Sequence, residues 1–441
     1  MKKAFSNTLY TNDNLFILNG LNSNLVDLIY LDPPFNSKRF YSAPIGSKAA
    51  GISFRDMWHW KDVNEAYLET LAGKYPALSK YIAPIGAIHS EAMKAYLTYM
   101  AQRIIEMHRI LKDTGSLYLH CDPTASHYLK VVMDEIFGRD NFKNEIVWHY
   151  RRWTGKAKKF QSLHDIILFY TKSDEYTFNE LFRQTTEGQI KKHTKGWDRN
   201  SVIIDGKRQA QLIIYDKDKV EYAVKNGTLD LSAFARIIEN DSLETKESDV
   251  WTDINILNSQ SKERTGYPTQ KPLSLLHRII KSSSNEGDIV FDPFCGCATT
   301  CVAAQQLGRK WIGIDIEKQA ANILVKRLSD DAGMFKDFVN TTIVPQRTDV
   351  TIAEPTKSIK ESLYKKQKGF CNGCKTQFEI RNLEIDHIIP KSKGGGSYYE
   401  NYQLLCGDCN RKKGNRNMEY LRMRIAKEEE LLKKKIIFGE I

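Results

Sequence analysis

The stretch Asp288-Ile289-Val290-Phe291-Asp292-Pro293-Phe294-Cys295-Gly296-Cys297-Ala298-Thr299-Thr300 decides the fold. Its first five residues are a short apolar run ending in an acid, as a buried strand does, and Pro293 stops it because proline has no amide hydrogen to give a ladder. Small residues carry a turn to Ala298, Thr299 to Leu307 reads as a helix, and Trp311 to Ile316 is the next strand. Strand, helix and strand in that order are a βαβ signature.

Working outward, the same alternation recurs upstream. Val26 to Leu31 is an apolar strand stopped by Pro33 and Pro34. Glu91 to Leu111 places Met93, Tyr96, Leu97, Met100, Ile104, Met107 and Leu111 at three- and four-residue steps, the pattern of a long amphipathic helix. Gly115 punctuates, and Ser116 to Cys121 is another strand. The fold class is therefore α/β, a doubly wound sheet, and ligands of such sheets lie beyond the carboxyl ends of the strands. Asp32, Asp292 and Asp315 all stand at strand ends.

The 441 residues exceed what one hydrophobic core organises and predict two or three domains. Hydrophobic residues at 41% and charged residues at 27% exclude a largely disordered or membrane-embedded chain. No apolar run reaches the roughly 18 residues of a membrane span, and the start, Met1-Lys2-Lys3-Ala4-Phe5-Ser6-Asn7, lacks a secretory pattern. A cytoplasmic protein without a membrane partner is expected. Lys and Arg number 65 against 54 Asp and Glu, a net charge of +11 that favours a polyanion, nucleic acid ahead of an anionic membrane. The excess sits in two blocks: residues 143–208 hold 14 basic and 8 acidic side chains, and residues 351–441 hold 19 and 12.

Residues of about 175 to 262 lose the strand and helix alternation and become polar, which reads as an insert serving recognition rather than core. Periodicity fades after Lys336, and 341–364 reads as a linker. A compact Cys- and His-bearing segment occupies 365–418, and 419–441 reads as a charged helical tail.

Asp32-Pro33-Pro34-Phe35 at a strand end, the Phe291–Thr300 turn, Gly313-Ile314-Asp315-Ile316-Glu317 and Thr269-Gln270-Lys271-Pro272 together resemble the S-adenosylmethionine-dependent DNA amino-methyltransferases. The order of motifs is similar to the β arrangement of that family, and the likeness covers about residues 5–330. It implies a Rossmann-like methyltransferase sheet with an inserted target-recognition region within residues 1–340. It also implies double-stranded DNA as partner and transfer of a methyl group to the exocyclic amine of a flipped base. By this resemblance Asp32 and the Pro33 carbonyl accept hydrogen bonds from the amine, Pro34 stiffens the loop, and Phe35 stacks on the base. Asp292, Phe294, Gly296, Thr299 and Asp315 hold the cofactor, with Lys271 at its methionyl end. Asp at the first motif position favours adenine N6 over cytosine N4. Many relatives carry a second glycine where this chain has Ala298. A lone strand-turn-helix of this kind is also an ordinary structural turn, so the weight rests on the motifs in combination.

The basic block beside this core contains Trp148, Tyr150, Arg151, Arg152, Trp153, Lys156, Lys158 and Lys159. The five basic side chains are expected on DNA phosphates, with aromatics stacking on bases; the plainer alternative is a solvated surface with core tryptophans.

Cys371-x-x-Cys374 and Cys406-x-x-Cys409 suit four-thiolate zinc. Between and after them lie Asp386-His387, Gly394-Gly395-Gly396, Asn401 and Asn410, and the set resembles HNH nucleases. The resemblance implies a small zinc-stabilised ββα domain that cleaves or nicks DNA. His387 would be general base, Asp386 and Asn410 would hold Mg2+ or Mn2+, and Asn401 would orient the histidine. The structural alternative is a zinc-stapled DNA-binding module without cleavage, and a DNA-binding regulator without catalysis is a third reading. The resemblance places the chain in a restriction–modification or mobile-element setting, prokaryotic or phage-encoded. A homodimer is an open possibility.

Overall fold

The computed structural model describes residues 7–428 apart from short stretches, the longest of them 57–70, 238–244 and 331–337, and the statements below concern the described residues. Nine strands form the central sheet: β1 Thr8–Thr11, β2 Val26–Leu31, β3 Leu111–Cys121, β4 Phe142–His149, β5 His164–Thr171, β6 Val250–Trp251, β7 Ile289–Asp292, β8 Lys310–Asp315 and β9 Val339–Thr341. Their order across the sheet is β6-β4-β5-β3-β2-β7-β8-β1-β9. From β3 to β9 every pair is parallel, and β5 runs antiparallel to both β3 and β4.

Helices cover both faces. On one side α1 Asn14–Gly20, α2 Glu91–Ile110 and α3 Pro123–Phe137 pack against Val26, Ile29 and Leu31. On the other, α4 Leu273–Ser283 and α5 Thr299–Gln306 pack against Leu28 and Tyr30. Consecutive side chains of β2 thus enter opposite cores, which is why its sequence is a nearly continuous apolar run. Asp27 is the polar exception: its carboxylate accepts from Lys112 Nζ at 2.7 Å and from the Ile289 amide at 2.9 Å.

Two details of topology position the sites. Strands β2, β7 and β8 are neighbours, so Asp32, Asp292 and Asp315 leave the sheet side by side at its carboxyl edge. Cys121 pairs with Ile166 and His149 with His164, so the basic connection between β4 and β5 emerges at that same edge.

Residues 179–248 form a separate compact unit. Antiparallel strands Trp197–Ile204 and Lys207–Ile214 are extended by Phe234–Ile237. The unit has a small core of its own, Trp197, Leu212, Ile214, Val220, Ala223 and Leu229. The insert read as polar recognition surface therefore carries a small core, hidden from sequence because its six residues are spread over 33 positions interspersed with eleven charged side chains.

The stretch read as a linker carries structure at both ends. Beyond β9, Asn12 Nδ2 donates to Thr342 O at 3.0 Å, Asn22 Nδ2 to Thr348 Oγ1 at 2.8 Å, and the Ser23 amide to Asp349 Oδ2 at 2.9 Å. The helix α6 Lys318–Asp330 precedes this segment, and α7 Lys357–Lys366 follows it. Leu363 of α7 is buried in the C-terminal core with Cys371, Leu383, Tyr402, Leu404, Leu405, Met418 and Leu421. Antiparallel strands β10 Leu383–His387 and β11 Tyr402–Cys406 with helix α8 Gly407–Lys413 complete a ββα unit.

Candidate active sites

A cavity of about 540 Å3 opens at the carboxyl edge of β2, β7 and β8. It brings together all ten residues that sequence places in methyl transfer: Asp32, Pro33, Pro34, Phe35, Lys271, Asp292, Phe294, Gly296, Thr299 and Asp315. The turn between β7 and α5 is held from within. Asp292 accepts from Thr300 Oγ1 at 2.5 Å and from the Phe294 amide at 3.0 Å, and Asp315 accepts from the amides of Gly296 and Glu317, both at 2.8 Å. Burial raises both carboxyls from the ordinary range to about 7; the Asp32 and Asp315 charges add to the shift at Asp292, and that of Glu317 at Asp315.

Gly296 has φ +51, and a Cβ there would lie 3.1 Å from the Tyr267 ring. Ala298, where a glycine is commoner in the family the sequence resembles, holds the left-handed conformation at φ +58 and ψ +35, fully buried. The Thr299 hydroxyl accepts from Arg327 Nη1 at 2.9 Å, so it faces the helix packing as well as the cavity.

Lys271 and Phe35, which the motifs supply, meet several residues that no motif marks. Lys271 Nζ donates to Asp32 Oδ2 at 2.7 Å and stands 5.2 Å from the Phe35 ring centre. Phe35 stacks on the fully buried His120 at 5.9 Å between ring centres. His120 in turn bonds Tyr30 Oη at 2.9 Å and Asp165 Oδ2 at 3.1 Å, and Tyr150 Oη donates to Asp165 Oδ1 at 3.1 Å. Asp165 is buried, which would raise its carboxyl, yet the bonds from His120 and Tyr150 and the Lys271 charge leave it below the ordinary value. On the cofactor side, buried Arg103 donates to Asn14 Oδ1 at 2.5 Å and Asp13 Oδ1 at 3.0 Å, and Asn14 Nδ2 to Pro293 O at 2.9 Å. For Arg103 and His120 the only sequence signal is a polar side chain inside an otherwise apolar helix or strand.

In the basic connection, Arg151, Arg152, Lys158 and Lys159 are exposed, as is Phe160, whereas Lys156 and Trp153 lie outside the described residues. Trp148 and Tyr150 do not face solvent. Trp148 is core, its Nε1 donating to Ile254 O at 2.8 Å, and the stacking role read for these two aromatics is corrected accordingly.

The four sulfurs of Cys371, Cys374, Cys406 and Cys409 lie within 4.8 Å of one another, the one metal-capable cluster of His, Cys, Asp or Glu among the described residues. Amide donors from Gly373 and Cys406 reach the Cys371 sulfur at 3.4 and 3.2 Å. The residues fit zinc. They do not assemble an open divalent-cation site at Asp386. Its Oδ2 accepts from Gln403 Nε2 at 2.8 Å and pairs with Lys413 Nζ at 3.0 Å, and Lys413 is itself fully buried. Asn410 turns its amide to Glu384 Oε2 at 2.6 Å instead of joining Asp386. His387 is half-buried, 4.8 Å from the Tyr402 ring centre; burial and the charge of Lys391 lower its imidazole from the ordinary value. Among the described residues no hydrogen bond joins Asn401 to it, and the His387 Nε2 lies 3.4 Å from Ser397 Oγ. The Asn401 side chain instead clamps the following loop, accepting from the Ile389 amide at 2.9 Å and donating to Ile389 O and Gly396 O.

The comparisons with known proteins place the chain among enzymes that modify DNA. A family model described as a DNA methylase matches residues 26–326, and one described as an HNH endonuclease matches 371–416. The Type II methyltransferase M.EcaI of Enterobacter cloacae is 30% identical over 373 residues, 77% of this chain and 73% of that protein. The DNA adenine methyltransferase YhdJ of Escherichia coli (strain K12) is 27% identical over 323 residues, 73% of this chain and 82% of that one. Among solved structures, the PvuII DNA methyltransferase, cytosine-N4-specific, is similar over 75% of this chain and 89% of its own, at 13% identity and a TM-score of 0.40. The chain belongs to the S-adenosylmethionine-dependent DNA amino-methyltransferases of the N6/N4 family, and it carries a C-terminal HNH domain.

Proposed function

We propose that this chain methylates adenine N6 at a specific site in double-stranded DNA, within the cell. The observation that carries the reading is the convergence of Asp32-Pro33-Pro34-Phe35 with Asp292, Phe294, Gly296 and Asp315 on one cavity. Adenine is supported by Asp at the first motif position and by the name of the Escherichia coli relative. Bound S-adenosylmethionine would supply an electrophilic methyl group. Asp315 and Asp292 would hold it through its hydroxyl and amino groups, and Phe294 would pack against it. Phe35 stacks on a base flipped out of the duplex, while Asp32 and the Pro33 carbonyl accept the two amine hydrogens. Those acceptors aim the nitrogen lone pair at the methyl group and stabilise the positive charge that develops on nitrogen. The rigidity of Pro33 and Pro34 keeps the acceptors in place at little reorganisation cost.

The domain reading that goes with this function is 1–340 for methyl transfer, with a recognition insert at about 175–262 supported by the separate unit at 179–248. It continues with 341–364 as connection, 365–418 as HNH domain and 419–441 as tail. Arg151, Arg152, Lys156, Lys158 and Lys159 contact phosphates. Duplex DNA incubated with the protein and S-adenosylmethionine should yield N6-methyldeoxyadenosine by mass spectrometry. N4-methylcytosine alone would move the target to cytosine, and no methylated nucleoside would defeat the reading.

For the HNH domain we read hydrolysis of a phosphodiester with His387 as base. The Lys413–Asp386 pair favours a second reading, a zinc-stapled module that only binds DNA. Mg2+-dependent nicking that disappears in His387→Ala supports the first. No nicking by either protein, with unchanged DNA affinity, supports the second.

A further inference from the structure

We infer that Lys271 is a positioning residue that occupies Asp32 until the carboxylate of the cofactor's methionyl end draws it away, so that cofactor binding licenses engagement of the target base. The inference rests on the cofactor reading above and deepens it.

Lys271 Nζ lies 2.7 Å from Asp32 Oδ2, with side chains only 10% and 18% exposed. An ammonium so placed neutralises the charge that Asp32 must offer to an amine becoming positive. With Lys271 on it, the acid is a poor acceptor for the base. The lysine cannot simply withdraw, since a largely desolvated ammonium without an anion is expensive. It needs a replacement anion, and the other acids around it are bonded elsewhere, except for Glu317, which faces solvent; Asp165 beside the cavity is taken by His120 and Tyr150. Asp292 and Asp315 are held by the turn amides and by Thr300, and Asp13 by Arg103.

The charge inventory names the replacement. Among the described residues lining the cavity, five are acids, Asp13, Asp32, Asp292, Asp315 and Glu317, and Lys271 is the one cation. S-adenosylmethionine carries two positive groups, its sulfonium and its ammonium, which suit those acids, and a single carboxylate. That carboxylate has one cationic partner available in the cavity, and on meeting it Lys271 releases Asp32. Because coupling is reciprocal, a bound base amine that takes Asp32 strengthens the hold of Lys271 on the cofactor.

S-adenosylhomocysteine tests this by calorimetry, because it keeps the carboxylate and lacks the sulfonium charge that would itself attract Asp32. The full chain is compared with Asp32→Asn and Lys271→Gln. Asp32→Asn frees the lysine beforehand and should bind S-adenosylhomocysteine about five- to tenfold more tightly than the natural chain, whereas Lys271→Gln should bind at least about fivefold more weakly. With decarboxylated S-adenosylhomocysteine both differences should vanish. Equal or weaker binding by Asp32→Asn overturns the inference, and so do differences that persist with the decarboxylated compound. Should Asp32→Asn fail to fold, Asp32→Ser carries the same expectation. Failure of the natural chain to bind either compound would instead overturn the cofactor reading.

Discussion

Ala298 pits two costs against each other. A left-handed alanine costs roughly 1–2 kcal/mol, and glycine would remove that cost. Glycine would also forfeit a buried methyl, about 0.8 kcal/mol, and gain about 0.4–1 kcal/mol of unfolded-chain entropy. The terms nearly cancel, so Ala298→Gly should shift stability by no more than about 1 kcal/mol in chemical denaturation. Ala298→Val combines a β-branched side chain in the left-handed region with overpacking at a site 0% exposed, and should cost more than about 2 kcal/mol. A well-tolerated valine would contradict the observed turn. Asp292 and Asp315 add a pH dependence to stability. Both stand near 7 in the folded chain and near ~4 when unfolded. Between those values the folded state holds more protons, so their contribution falls as pH rises and is fully lost above about 7. Asp315→Asn should flatten the fall in Tm of ligand-free protein between about pH 5 and pH 7.5; an unchanged slope would refute the raised carboxyl. Both acids were legible in sequence because strand ends announce themselves. Lys271 was legible as a residue but not as the partner of Asp32, 239 positions away, and buried Arg103 and His120 gave no signal beyond being polar inside an apolar helix and strand.

At the scale of elements, what reads well from sequence is what local periodicity determines. The strand Val26–Leu31 and the helix Glu91–Ile110 follow directly from which faces they bury. What does not read is an element stabilised from afar. The helix Lys357–Lys366 has a single buried apolar anchor, Leu363, so its sequence looks like linker; it forms because that leucine joins the core around Cys371 and Leu404. This core is small, only ten buried residues, and three of them are thiolate donors. Below about 70 residues such a core needs a staple. Zinc removal by a strong chelator should therefore unfold 357–428 while leaving the methyltransferase sheet intact. Hydrogen exchange would show rapid labelling of Leu383–His387 and Tyr402–Cys406 with β2 and β7 still protected. Protection of both regions after complete zinc loss would show the thiolate cluster to be dispensable.

On the scale of the whole molecule, two basic blocks lie in separate parts of the chain, and each adjoins one of the two motif sets. The first includes the connection that emerges beside the methyl-transfer cavity, and the second is the zinc module with its tail. If both touch the same duplex, each adds its own released counterions, about 0.9 per phosphate neutralised, to the slope of log affinity against log salt. A chain ending at residue 350 keeps the segment that docks on Asn12, Asn22 and Ser23, so its methyltransferase core should stay folded, while it loses a block with a balance of +7. Its affinity for duplex DNA should fall most at low salt, and the slope should shrink by the number of phosphates the zinc module contacts. Methylation at saturating DNA should continue, because every residue lining the cavity lies before residue 318. An unchanged slope would mean that the zinc module does not bind DNA while the methyltransferase does, leaving its Asp386–His387 pair without a phosphodiester to act on.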